Sequence, residues 1–184
     1  MHVIIVGVAA ARTPRRPVLM HIRNATEADI AGLTAIYNEV IATSTAIYAE
    51  EPVTPEERRL WWRARLAQGY PVLIAHDTHG VTGFASFGDF RVPSGYRFTV
   101  EHTVHVRADV RSRGTGAALV RALLERAAAL GKHVMIAGVD AANAGAIRFH
   151  ERLGFERSAV LREVGHKFGR RLDLLFLQRR VGAG

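Results

Sequence analysis

The sequence predicts an α/β domain, and three observations predict it. Short runs rich in β-branched and aromatic residues alternate with longer segments whose apolar residues recur every three to four positions. One strand-like run, Tyr96 to about Arg107, leads into a glycine-rich turn, Arg111-x-x-Gly114-x-Gly116, that opens a helix. The 184 residues, 48% hydrophobic, suit a single domain with a sizeable core.

Each element has its own local reason. His21 to Ala25 reads as a first strand. Thr26-Glu-Ala-Asp29 resembles a capping box, with Thr26 as N-cap, and Ile30, Leu33, Ile36, Tyr37, Val40 and Ile41 then form one helical face. A second helix starts at Thr54-Pro-Glu-Glu57, where Thr54 caps, Pro55 suits the first turn and Glu57 reaches back. Leu60, Trp61, Ala64 and Leu66 are its expected apolar side, and Tyr37, Trp61 and Trp62 read as core or subunit-contact aromatics. Pro71–His76 and Val81–Phe87 flank Asp77-Thr-His-Gly80 as a hairpin. Gly88 to Gly95 is a loop, and the long strand follows. After the glycine turn, Leu119, Val120, Leu123, Leu124, Ala127 and Leu130 mark a helix that Gly131 stops with a left-handed cap. A strand at His133–Val139, a helix from Ala142 to about Leu153, and strands at Glu156–Val164 and Leu172–Arg179 complete the chain, with Gly165–Arg171 as a polar, basic loop.

The turn carries the first chemical signal. Glycines remove side chains, so the N–H groups of the helix start can close on an anion that the helix dipole also favours. Arg111 and Arg113 add charge beside it. A plain structural turn uses the same spacing. No Gly-x4-Gly-Lys-Ser/Thr and no Gly-x-Gly-x-x-Gly occurs, so the triphosphate and dinucleotide cradles are excluded.

Composition narrows the field further. The chain has no cysteine, which excludes disulfides, thiolate catalysis and Cys-ligated zinc and permits a reducing cytosol. The net charge of +8 is carried almost wholly by arginine, Lys132 and Lys167 being the lysines. It suggests an anionic partner, but the basic residues form no long run and no nucleic-acid module is visible, so an Arg-rich solvated surface is the simpler reading. His102 and His105 lie three apart on a strand and so point to opposite faces, and no His-Glu-x-x-His occurs; no metal is assigned.

Downstream of the glycine turn stand Asn143 and Arg148-Phe-His-Glu-Arg-Leu-Gly-Phe155. Strand, Arg-x-x-Gly-x-Gly, helix and Asn-x-x-Ala-x-x-Phe-His-x-x-Leu-Gly-Phe together resemble the GNAT acetyl-CoA-dependent N-acetyltransferases. Gly69-Tyr-Pro71, Phe84-Ala-Ser-Phe-Gly-Asp89, Thr99-Val-Glu-His102 and Lys167-Phe-Gly-Arg170 are similar to the branch that acetylates phosphinothricin, methionine sulfoximine, methionine sulfone and related amino acids. The resemblance runs from about His21 to Val181. It implies the GNAT fold: a mixed, mostly antiparallel twisted sheet with splayed central parallel strands and flanking helices. It also implies one domain over 20–182, a cytoplasmic homodimer, and acetyl-CoA as cosubstrate, with no nucleic-acid or membrane partner. Residues 1–19 lie outside it and are expected to be a disordered extension or a misplaced start; their apolar stretch Val3–Ala11 is too short to span a bilayer and has no basic residue before it.

Acyl transfer from a thioester to an amine needs a base for the amine, a holder for the oxyanion and an exit for the thiolate. Glu101 is the expected base; pairing with Arg97 or another Arg across the sheet is the alternative. The resemblance assigns the oxyanion to the N–H of Val106 on a bulged strand over Val104–Val106; in an unbroken ladder that N–H has no catalytic part. The same resemblance puts His150 where many relatives carry a tyrosine that protonates the leaving thiolate, although His150 could equally only hydrogen-bond within a packed helix. The expected cofactor contacts are Val104, His105, Val106, Arg111, Ser112, Arg113, Gly114, Thr115, Gly116, Ala117 and Asn143; Asn143 alternatively serves as a helix cap. Substrate contacts are expected from Arg91, Val92, Pro93, Glu101, His102 and Thr103, with Arg91 or Arg97 free to grip a carboxylate or to remain a solvated charge. The loop Arg91-Val-Pro-Ser-Gly95 lacks the aromatic that relatives often carry before the glycine. The function so implied is acetylation of the α-amine of a small amino acid or toxic analogue. Alternatives are a GNAT acting on a protein N-terminus, polyamine or antibiotic, and a non-catalytic acyl-CoA-binding or nucleic-acid-binding module.

Overall fold

Local hydrogen bonding precedes the two N-terminal helices, in a 3-10 turn before the first and a capping box before the second. The computed structural model describes residues 20–182; the expectation for 1–19 lies outside them. Strand β1 (His21–Asn24) ends at a single 3-10 turn, where the N–H and hydroxyl of Thr26 both donate to Asp29 at 2.8 Å. Helix α1 (Ile30–Thr43) then buries Ile30, Leu33, Ile36, Val40 and Ile41. Helix α2 (Pro55–Ala67) opens with the reciprocal box: Glu57 N–H donates to Thr54 Oγ1, and Thr54 N–H to Glu57 Oε2. Its buried side differs from the expected one. Leu60, Ala64 and Leu66 are exposed, and the inward stripe is Arg58, Trp61, Trp62 and Arg65. That is also helical spacing, and the guanidinium of Arg58 reaches the interior because it lies over the rings of Tyr37 (4.1 Å) and Trp61 (3.9 Å).

The remaining elements are β2 (Val72–Asp77), β3 (Gly80–Asp89), β4 (Thr99–Val106), α3 (Thr115–Ala129), β5 (Val134–Asp140), α4 (Ala144–Arg152), β6 (Glu156–Lys167) and β7 (Arg170–Arg180). They form one seven-stranded sheet in the order β1-β2-β3-β4-β5-β7-β6, antiparallel at every junction except β4–β5. Helices α3 and α4 cover one face over a core that includes Leu73, Val100, Leu119, Leu123, Met135 and Leu177. Helix α1, with Trp61 and Trp62 of α2, covers Ile74 and Phe84 on the other.

Several boundaries shift from expectation. β4 begins at Thr99 rather than Tyr96, because Pro93 starts a 3-10 turn in which Tyr96 N–H donates to the Pro93 carbonyl. The expected loop Gly165–Arg171 shrinks to the pair Phe168-Gly169, both at positive φ, a two-residue turn that lets β6 run on through Lys167. Leu130 lies past the end of α3 and is exposed, while Gly131 takes the expected left-handed conformation.

Candidate active site

The site begins where the sheet splits. β4 and β5 are paired only through Thr99–Glu101 and Val134–Ile136. Beyond Glu101, β4 stays with β3 up to Val106 and β5 stays with β7 up to Asp140, so a gap opens between them. The Arg107 N–H donates to Thr82 on the β3 side, and the Phe98 carbonyl accepts from His133 and Val134 on the β5 side. Strand alternation therefore turns the N–H groups of His102, Val104 and Val106 toward the gap. The expected bulge at Val104–Val106 is absent: the β3–β4 register is unbroken from Gly83↔Val106 to Asp89↔Val100. Divergence of β5 alone frees that edge, so no extra residue is needed.

The gap continues into a cavity of about 960 Å³ that reaches the mouths of α3 and α4. Val104, His105, Val106, Arg111, Ser112, Gly114, Thr115, Gly116, Ala117 and Asn143 all line it. Gly114 holds φ +88°, a conformation that disfavours any residue with a β-carbon, and a methyl group placed there would touch nothing within 4 Å. The turn is thus open, and the N–H groups of Thr115, Gly116 and Ala117 in the first turn of α3 have no intrahelical acceptor. Open amides, the helix dipole and Arg111 at the rim fit a ligand that carries a diphosphate. Arg111 Nε donates to the Val106 carbonyl at 2.9 Å, whereas Arg113 turns away onto the Asp109 carbonyl and does not line the cavity. Asn143 caps α4, its Oδ1 accepting from Ala146 N–H at 2.9 Å, while also facing the cavity.

Side chains of β4 alternate across the sheet. Glu101, Thr103 and His105 face α1 and α2; His102, Val104 and Val106 face α3 and α4. Glu101 is half-buried beside Gly138: a methyl group on Gly138 would lie 3.0 Å from Glu101 Oε1, 3.4 Å from Leu174 and 3.6 Å from Phe176. Burial pushes the Glu101 carboxyl above its ordinary range, with the positive charge of Arg91 opposing. The alternative partner Arg97 is occupied elsewhere, donating to Ser94 O and lying over Phe98. Glu101 does not itself line the cavity; Gly138, which does, stands between them. Arg91, Val92 and Pro93 are exposed and also outside it, with Val92 98% exposed. Arg91 lies over Phe90, whose ring meets Phe176 edge-on at 6.1 Å. Thr103 Oγ1 and His105 Nε2 are 2.9 Å apart, and burial, with the charges of Arg58 and Arg111, brings the His105 pKa down to about 4.

On the opposite face, His150 and His102 both line the cavity, with ring centroids 5.2 Å apart. His150 Nδ1 lies 2.8 Å from the Ala146 carbonyl, which can only accept, so Nδ1 carries the hydrogen and the neutral ring turns a lone pair out at Nε2. Burial lowers the His150 pKa, the Ala146 bond opposing, so that neutral form dominates near pH 7. His102 was expected beside the amine substrate; its side chain instead sits on the α3–α4 face, buried with Phe155 and His150. Among the described residues, no cluster of three or more His, Cys, Asp or Glu could hold a metal ion, and no helix is long and apolar enough to cross a membrane.

One wall of the site comes from residues that spacing could not reveal. Ala46, on the segment after α1, lines the cavity. That segment is tied to distant strands: Thr45 Oγ1 donates to Asp140 at 2.6 Å, Tyr48 OH to the Asp173 carbonyl at 3.2 Å, and Lys167 Nζ to the Ser44 and Ile47 carbonyls at 2.9 and 2.6 Å. The partners lie 95 to 125 positions apart, beyond any local pattern.

Comparison with known proteins agrees with this geometry. The acetyltransferase (GNAT) family model matches residues 33–155. An L-methionine sulfoximine/L-methionine sulfone acetyltransferase of Pseudomonas paraeruginosa is 51% identical over 85% of this chain and 92% of its own. The crystal structure of a GNAT superfamily phosphinothricin acetyltransferase from Sinorhizobium meliloti, in complex with acetyl-CoA, superposes with a TM-score of 0.85 at 37% identity, covering 90% of both chains. A ribosomal-protein-alanine N-acetyltransferase from Brucella melitensis superposes with a TM-score of 0.85 at 44% identity, covering 87% of this chain and 99% of that one. With the split sheet, the open glycine turn and these relatives in hand, the chain belongs to the GNAT acetyltransferase family and is an N-acetyltransferase.

Proposed function

We propose that the enzyme uses acetyl-CoA to acetylate the α-amine of a small amino acid of the methionine sulfoximine, methionine sulfone or phosphinothricin type. The observation that carries this reading is the place of Glu101, at the last paired residue before β4 and β5 part. The acetyl donor supplies a thioester carbon. The amides of Thr115, Gly116 and Ala117, with Arg111, would hold its diphosphate end, and the free N–H of Val106 would face the carbonyl oxygen.

An amino-acid amine is mostly protonated near neutral pH and must lose a proton before it can attack. Glu101 removes it, directly or through water. Burial raises its carboxyl pKa, against the opposing charge of Arg91, which makes it a stronger base than a solvated carboxylate. Arg91, whose charge acts on Glu101, binds the substrate carboxylate. Leu174 and Phe176 beside Glu101 form an apolar wall for a short side chain. A homodimer belongs to the same reading: Val160, Leu161 and Val164 on β6 and Phe168 at its turn are exposed apolar residues that a second copy would cover, and light scattering decides. A cytoplasmic setting, compatible with a cysteine-free chain, is checked by cell fractionation.

The second reading, acetylation of a protein N-terminus, has the Brucella structure in its favour. The test is coenzyme A release with methionine sulfone, methionine sulfoximine, phosphinothricin and an alanine-starting peptide. Turnover of the free amino acids at a kcat/KM at least 100-fold above the peptide supports the first reading; turnover of the peptide alone establishes the second.

A further inference from the structure

The cavity is lined by two imidazoles that carry ring nitrogens with no hydrogen-bond partner. His102 is 8% exposed and both its ring nitrogens lack a hydrogen-bond partner; His150 is 5% exposed and its Nε2 lacks one. A buried, unpartnered polar atom is costly and is kept where a ligand or a transferred proton will use it. The two rings lie side by side, centroids 5.2 Å apart, on the side of β4 opposite Glu101, and both line the cavity beside Phe149 and Phe155.

Acetylating an ammonium requires two protons to leave the nitrogen. The first leaves before attack and is the one Glu101 takes. The second leaves the tetrahedral adduct, whose nitrogen has become positive, while the departing sulfur needs one proton to become a thiol. A single carrier between nitrogen and sulfur can serve both needs.

We propose that His102 and His150 form a proton-holding pair that moves this second proton, with His102 as the positioning residue. The step rests on the acetyl-transfer reading above and balances as follows. The N–H bond of the adduct breaks and an Nε2–H bond forms on His150. The oxyanion re-forms the C=O bond as the C–S bond breaks, its electron pair going to sulfur. The Nε2–H bond then breaks and S–H forms, leaving His150 neutral again. While His150 is an imidazolium, the uncharged ring of His102, its centroid 5.2 Å away, shares its Nε2–H. His102 stays uncharged because burial, then His150 and His105, bring its pKa down to about 3, so it accepts without competing for the proton. The other charged or titratable side chains lining the cavity are His105, Arg111, Arg121, Asp140 and Arg152.

The experiment is a double-mutant cycle on coenzyme A release. His102→Phe keeps the ring but removes its acceptor; it is expected to cut kcat at least tenfold while the KM for both substrates stays within twofold. His102→Gln, which restores a polar atom, is expected to recover most of that loss. His102→Phe combined with His150→Phe is expected to be no slower than His150→Phe alone, because both act on one proton. Wild-type kcat in His102→Phe, or losses that multiply in the double variant, overturns the proposal. ¹⁵N-histidine NMR of the unmodified protein decides independently of folding of the variants and of which amine is the substrate. The expected result is the Nδ1–H tautomer at His150, with the His102 and His150 resonances both moving when coenzyme A is added. An Nε2–H tautomer, or resonances that coenzyme A leaves in place, overturns it.

Discussion

Glu101 and Gly138 meet across the point where β4 and β5 separate, and the absence of a side chain at Gly138 is what leaves room for the carboxylate. A β-carbon there would stand 3.0 Å from Glu101 Oε1, closer than the two can comfortably sit. The carboxylate is the free end of a flexible side chain, so it would yield by a few tenths of an ångström rather than disrupt the strand.

Gly138→Ala is therefore a probe of base placement. Misplacing a reacting group by a fraction of an ångström is expected to cost about tenfold in kcat/KM for the amine. Thermal stability should stay within a few degrees of wild type, since alanine in a strand restricts the unfolded chain. Steady-state kinetics alongside a melting curve check both halves.

Gly114→Ala tests the cradle. The site is open, so the cost comes from φ +88° alone and amounts to about 1–2 kcal/mol of stability. The same strain tilts the first amides of α3, and the stabilisation conferred by acetyl-CoA in a thermal-shift titration should shrink. An unchanged shift would place the diphosphate elsewhere.

Lys167→Met tests the wall formed after α1. Lys167 is 1% exposed and satisfies two carbonyls, of Ser44 and Ile47. Losing its ammonium leaves them without that donor and is expected to destabilise the fold by roughly 1–3 kcal/mol. Because Ala46 of that segment lines the cavity, the KM for acetyl-CoA should rise as well. Chemical denaturation and kinetics measure the two effects.

What the sequence disclosed follows how local each cause is. The cap at Thr54, the glycine turn at Gly114 and the stop at Gly131 depend on neighbouring residues, and each stands where its pattern put it; Thr26 instead precedes a 3-10 turn, and Asp29 is the N-cap residue of α1. The buried face of α2 is hidden from the sequence because arginine is ordinarily a surface residue, and Tyr37, which lies under Arg58, comes from another helix. The bulge was misassigned because a freed strand edge can come from a bulge in one strand or from departure of its neighbour, and only three-dimensional pairing tells them apart. The partnership of His102 with His150 joins a strand to a helix across the cavity and leaves no spacing signature.

The most direct test is Glu101→Gln, followed as the rate of acetyl transfer across pH with saturating acetyl-CoA. In the wild type, the acid limb of kcat/KM should lie above the ordinary glutamate value of about 4.3, because burial raises the carboxyl and protonation removes the base. The account predicts that Glu101→Gln loses that limb and about 10²- to 10⁴-fold in kcat while binding acetyl-CoA as the wild type does. Turnover within a few-fold of wild type, with the limb retained, would contradict it.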